Sequence, residues 1–259
     1  MSDPTDLPTI AQAARHATTL GIMVLPSHYP IPLTAPDEHG RRLACSCGQP
    51  GCPAPARHPI QGLTVNHATV NPDRVTAWWA DRPNANLATP AGRSLDILEL
   101  ACASPAQQVT DWLDTQGIEP GPIIAAAPNR LHLLVRGSQP TTPRAAPLRD
   151  GRLVRVAADT LVLLPPSRRI DGHPVAWQRP FATRAAPLPD GERVWEALVH
   201  LPQPTSSTTG TTPSGSTVPP SCPPTSHERR HPRPAGRDRH HHPGHPRSAR
   251  AGTQARPNT

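Results

Sequence analysis

The residues predict an α/β fold of the α+β kind, a mixed sheet with flanking helices, on three observations. Helical patterns alternate with apolar strand segments in the first half of the foldable region. Strand segments cluster in its second half. No G-x-G-x-x-G fingerprint and no phosphate loop follows any strand, which argues against a doubly wound nucleotide fold. The pattern runs as far as residue 202, so one domain is expected over residues 1–202, followed by a tail over 203–259.

Taken in order, Thr9 caps a helix whose apolar face is Ile10, Ala13, Ala14, Ala17 and Leu20, and Gly21 ends it. Residues 22–25 read as a strand. From 27 to 63 the chain is rich in Pro, Gly, Cys and His without periodicity, the signature of a long irregular insertion that needs a staple or a function. Asn71-Pro72 starts a helix that buries Val75, Trp78 and Trp79 and stops at Pro83. Strands follow at 88–89 and 95–100. Ser104 and Pro105 open a helix carrying Val109, Trp112 and Leu113, ended by Gly117. Residues 122–126, 131–135, 153–156 and 161–164 read as successive strands, and a helix over 191–201 closes the domain.

The tail cannot build a core. It is mostly Pro, Ser, Thr, Gly, Arg and His, with Val218 as its only large aliphatic residue, so disorder is expected there. It also carries most of the net charge of +7: eight Arg against Glu228 and Asp238. The domain itself is close to neutral, and the basic end is either a non-specific phosphate binder or a solvated extension without a partner. His240, His241, His242 and His245 could take adventitious metal. Lys is absent from the sequence, which excludes Schiff-base and phosphate-loop lysine chemistry. No apolar run is long enough to span a membrane, and the acidic start lacks the features of a signal peptide, so a cytoplasmic protein with no membrane partner is expected. There its five Cys are ligands or free thiols rather than disulfides.

Cys45, Cys47, Cys52 and His58 form a C-x-C-x4-C-x5-H array within residues 40–60. Three thiolates and an imidazole complete a tetrahedral zinc shell with no open position, so a bound Zn2+ would be structural and would staple a loop that has no core. His28 and His39 compete with His58 as fourth ligand, and unliganded thiols are the plainer alternative.

The helix of small residues followed by Gly21-Ile22-Met23-Val24-Leu25-Pro26 resembles the opening of the bifunctional DNA primase/polymerase N-terminal domain family. The resemblance continues through Cys47-Gly48, Cys52 and Arg57-His58-Pro59, then His67-Ala68-Thr69, Trp78-Trp79, and the run from Pro83 to Thr89 with Gly92 after it. It ends at Leu164-Pro165-Pro166-Ser167, Gly172 and Trp177, covering most of residues 9–178. It implies a primase/polymerase-like fold and two-metal nucleotidyl transfer, in which carboxylates hold Mg2+ or Mn2+ and nucleoside triphosphate and single-stranded DNA are the partners.

The family's first motif places two acids one residue apart on a strand, so that both face one side. Here the resemblance puts Glu99 on the first acid and Ala101 on the second, which breaks the pair. Asp96 is three residues from Glu99, on the opposite face of a regular strand; it reads as a surface carboxylate that joins the site only through a bulge. The second motif's phosphate-contacting His falls on His132, after Arg130, with a satisfied, partly buried His as the alternative reading. The third motif's acid falls near Val154 and Arg155 and is missing, with Asp150 or Asp159 as stand-ins if the loop register differs.

Glu99, His132 and Asp96 are therefore the candidate catalytic residues, and Arg130, Arg155, Pro165, Pro166 and Ser167 the candidate nucleotide- or DNA-binding ones. Three functions follow: a degenerate primase/polymerase-like domain that binds nucleotide or DNA with turnover weakened or lost; an active enzyme with shifted acids; or a non-catalytic zinc-containing interaction module with a basic tail. Many relatives carry a helicase in the same chain; here a separate helicase would have to supply it. The sequence leaves the oligomeric state open.

Overall fold

The computed structural model describes residues 8–37, 40–101, 105–137, 152–181 and 187–202. All of them fall in one unit, Met1–Pro223; a second unit, Pro224–Thr259, and the whole tail expected over 203–259 lie outside the described residues.

A reciprocal cap starts α1 (Ile10–Thr19): the Thr9 hydroxyl accepts the Gln12 N–H at 3.2 Å, and the Gln12 side chain accepts the Thr9 N–H at 2.7 Å. Two of the N–H groups that a helix start leaves open are thereby satisfied. Gly21 ends the helix at φ 75°, where a side chain would be strained. The chain enters β1 (Leu25–Ser27), displaced from the expected 22–25 because Val24 makes only an isolated bridge to Thr69.

The region expected as an irregular insertion contains an antiparallel hairpin, β2 (Pro30–Pro32) and β3 (Leu43–Cys45), with Pro30 opposite Cys45. Two prolines in a three-residue strand remove the ladder donors by which a strand is usually recognised. Asn71 then caps α2 (Pro72–Asp81), accepting the N–H groups of Asp73 and Arg74. Val75 and Trp79 are buried as expected, but Trp78 is half-buried, with the Arg74 guanidinium 4.9 Å from its ring.

The remaining elements are β4 (Asn86–Pro90), β5 (Asp96–Ala101), α3 (Ala106–Thr115), β6 (Ile123–Ala127), β7 (Arg130–Val135), β8 (Leu153–Arg155), β9 (Leu161–Leu163), β10 (Ala176–Arg179) and α4 (Gly191–Val199). The α/β arrangement holds, with its strands divided among sheets ordered β1-β4-β9, β10-β6-β7-β5-β8 and β2-β3. Every ladder among the described strands is antiparallel. The sequence reading lacked β10, a short edge strand of alternating exposure whose pairing with β6 is interrupted by a register shift. Among the described residues no helix is long and apolar enough to cross a membrane.

Two cores result. Ala14, Ala17, Val75 and Trp79 from the first two helices pack with Leu87 and Ala88 of β4 and with Ile97, Ile124 and Leu134 of the larger sheet. On the other side of that sheet, Leu98, Leu100 and Leu133 pack with Val109 and Leu113 of α3 and Val194, Trp195 and Leu198 of α4. The Trp112 indole joins the two helices by donating to the Ala197 carbonyl at 2.8 Å.

The expectation that Asp96 is a surface carboxylate is overturned: it is 5% exposed. It shares the face of Leu98 and Leu100, under α4, where Arg155 donates to it at 2.6 Å and to Glu192 of α4 at 2.7 Å. The same guanidinium lies 5.9 Å from the Trp195 ring. This buried charge set anchors α4, since removing one member would strand the others away from water.

Ser167 is also internal, with no exposed surface. Its Oγ accepts the Leu87 N–H at 2.8 Å and donates to the Leu87 carbonyl at 3.0 Å. Beside it, Asn86 exchanges hydrogen bonds of 2.8 and 2.9 Å with the Arg168 backbone. The segment after β9 is thus sutured to β4. Ser167→Ala leaves the buried Leu87 N–H unpaired, while the Leu87 carbonyl keeps the Leu164 N–H at 2.9 Å, and is expected to cost about 1–3 kcal/mol. Urea denaturation measures it, and an unchanged midpoint contradicts the suture.

Candidate functional site

The pleat of β5 sends Ile97, Glu99 and Ala101 to the face opposite Asp96. Glu99 stands across from His132 on β7, and Val154 of β8 flanks it on the other side. His132 Nε2 lies 3.0 Å from Glu99 Oε2, and the Arg130 guanidinium pairs with Glu99 Oε1. Both carboxylate oxygens are therefore engaged.

The next positions on this face carry no second acid. Ile97 and Ala101 lie along β5, and Val154 and His132 lie across it. Ala101 is paired with Arg130, so the cation stands beside the position that the sequence reading assigned to a second carboxylate. Asp159, one candidate stand-in, is tied to Arg93 at 2.6 Å. Asp150, the other, lies outside the described residues.

The Glu99 carboxyl is held below the usual carboxylate range, chiefly by its hydrogen bond to His132, with the charges of His132 and Arg130 adding and burial opposing. The His132 side chain is 11% exposed, and its Nδ1 is buried without a hydrogen-bond partner among the described residues. Arg130 is more open, at 37% exposed, and has donors beyond the one facing Glu99.

Of the expected site residues, the structure brings Glu99, His132 and Arg130 together. Asp96 and Arg155 meet each other on the opposite face. Pro165 is buried, Pro166 half-buried, and Ser167 spends its hydroxyl on Leu87.

The second cluster is Cys45, Cys47, Cys52 and His58, whose ligand atoms all lie within 4.8 Å of one another. His58 Nε2 is 3.4 Å from the sulfurs of both Cys45 and Cys52. It is the one group of three or more His, Cys, Asp or Glu able to hold a metal among the described residues. The hairpin of β2 and β3 delivers Cys45, and positive φ at Gly48 and Gly51 turns the chain between the remaining ligands.

Burial pushes the Cys52 thiol up to about 11, with Cys47 and Cys45 adding and the Ala54 backbone opposing. Three soft sulfurs and one imidazole nitrogen gathered this closely make a donor set that fits a soft divalent metal.

His28, weighed from the sequence as a competing ligand, instead packs its ring 4.4 Å from that of His58 and meets Ser46 Oγ through Nδ1 at 2.8 Å. Burial, then the charge of His58, holds His28 below its ordinary value. It supports the ligand without joining the shell. His39 lies outside the described residues. Nothing in the spacing separates a ligand from its neighbour here; the distinction needs the fold.

No curated protein matches the chain. The family described as bifunctional DNA primase/polymerase, N-terminal, matches residues 13–191, a span that includes both larger sheets, the Cys/His cluster and the Glu99–His132–Arg130 group. The chain belongs to the bifunctional DNA primase/polymerase N-terminal domain family.

Proposed function

We propose that the chain is a primase/polymerase-like domain that binds nucleoside triphosphate or single-stranded DNA through Arg130 and His132, with nucleotidyl transfer weakened or lost. The observation that carries this reading is the double engagement of Glu99 by Arg130 and His132 with no second carboxylate beside it. Two-metal transfer needs several oxygen ligands around a pair of divalent cations, because such cations take six or more donors and repel each other. A lone carboxylate already neutralised by an arginine is a poor host. The same arginine and the buried imidazole suit a phosphate, whose oxygens accept charge-assisted hydrogen bonds. Mg2+ or Mn2+ is a cofactor only of an active form.

Cys45, Cys47, Cys52 and His58 would hold a structural zinc, which supplies cross-linking to a hairpin too small to stabilise itself.

The test is titration of the full chain with labelled nucleoside triphosphate, with and without Mn2+, followed by extension on a single-stranded template. Binding is expected without added metal, and template-dependent extension would overturn the reading. Arg130→Gln is expected to weaken binding by about 10-fold or more, the loss of a charge-assisted bond worth roughly 1.5–3 kcal/mol. Metal analysis should find stoichiometric zinc in the purified chain and its loss in Cys52→Ser; zinc retained by that variant speaks against the assigned shell.

Because the folded state holds the Glu99 pKa down, its contribution to stability is present above about pH 4.5 and is lost as pH falls through the folded value. Glu99→Gln should flatten that acid limb of the stability profile, and an unaltered limb would mean the cluster is not charged as described.

A further inference from the structure

A cleft of about 480 Å3 opens between the Cys/His loop and the turn that follows α2. Glu99, Arg130 and His132 take no part in its lining. One wall carries Tyr29 and Gln61, the other Asn84 and the adjacent Asp81–Arg82 ion pair.

The volume suits a nucleotide-sized guest. The Tyr29 ring and Pro83 offer apolar surface, while the amides of Gln61 and Asn84 each present a donor and an acceptor. Those amides and the Tyr29 hydroxyl have no hydrogen-bond partner among the described residues. Arg82 is paired with Asp81 at 2.7 Å yet remains 43% exposed, able to turn further N–H groups outward.

A guest that uses all of these groups has flat apolar faces, an edge of mixed donors and acceptors, and an anionic substituent. Asn and Gln amides pair with base edges, aromatic rings stack on unpaired bases, and guanidinium groups take phosphate. We propose that this cleft binds one unpaired nucleobase, with its phosphate on Arg82, as a site separate from the Glu99 cluster.

The metal loop then has a task beyond its own stability. Ser46, between two of the Cys ligands, accepts the Tyr29 N–H at 3.1 Å through Oγ, and the same oxygen meets His28 at 2.8 Å. Through His28 the ring of His58 is in contact as well. Tyr29 is thereby held by the ligand-bearing segment, which acts as one jaw of the cleft.

The base could arrive within a single strand or on a free nucleotide, and the experiment separates the two. Anisotropy of a fluorescein-labelled single-stranded DNA oligonucleotide is measured on the full chain, with deoxyadenosine monophosphate and the matching duplex as competitors. Asn84→Ala and Gln61→Ala, both at exposed positions, are each expected to weaken single-strand binding by about 10-fold, and Tyr29→Ala by at least as much. Thermal midpoints confirm that the variants are folded.

Displacement by the monophosphate supports a free nucleotide as guest, and binding of the strand with no displacement supports a base within it. Single-strand affinity unchanged in all three variants, or duplex bound equally well, overturns the proposal. Failure here is distinct from failure at the Glu99 cluster: variants of the cleft that are silent while Arg130→Gln loses triphosphate binding sink the cleft alone. The converse pattern sinks the Glu99 reading alone.

Discussion

β5 lies between β7 and β8, and its pleat divides the chemistry of the molecule. Asp96, Leu98 and Leu100 go to the side covered by α3 and α4, and Ile97, Glu99 and Ala101 to the other. A strand cannot present residues three apart on one face without a bulge, and the ladder from Asp96↔Val135 to Ala101↔Arg130 is continuous. Two carboxylates close in sequence therefore do unrelated work. Asp96 joins Arg155 and Glu192 to seat a helix, while Glu99 meets a histidine and an arginine on the face that Ile97 shares.

The Cys/His loop solves a different problem. Residues 30–32 and 43–45 make a two-stranded hairpin, and a lone hairpin of that size is marginal in water. Four side chains gathered within 4.8 Å could hold a metal, whose bonds would supply the cross-link that an apolar core would otherwise provide. The His58 imidazole packs against the His28 ring, which Ser46 in turn holds through Nδ1. The loop also packs back on the sheet: His28 N–H donates to the His58 carbonyl at 3.0 Å, and Ser27 bridges Pro59.

Much of this could be read from the residues, for identifiable reasons. Caps at Thr9, Asn71 and the glycine stop at Gly21 are local devices, and local devices are visible in sequence. The grouping of Cys45, Cys47, Cys52 and His58 was legible because possible ligands so close in the chain fold together, and the nearness of Glu99 and His132 because the resemblance put both in one site. What stayed hidden depends on distant partners. Asp96 looks exposed until Arg155 and α4 are set above it; Ser167 looks available until Leu87 claims its hydroxyl; β10 has too little apolar surface to announce itself before β6 lies beside it.

The departures around Glu99 form a consistent set when charge is counted. A face bearing two or three carboxylates repels itself and is stable only with divalent cations between them, so each acid needs the metals and the metals need each acid. With Ala101 and Val154 as its neighbours, Glu99 is a single acid partnered by Arg130 and His132. The negative charge of Glu99 is then offset by the guanidinium beside it. Such a cluster holds its shape through hydrogen bonds internal to the chain, and an anion approaching it meets a guanidinium rather than a wall of negative charge. On the proposed reading, the side chains that would make this face a poor host for a metal pair are also those that would leave a phosphate free to approach the guanidinium, so both properties would have one electrostatic cause.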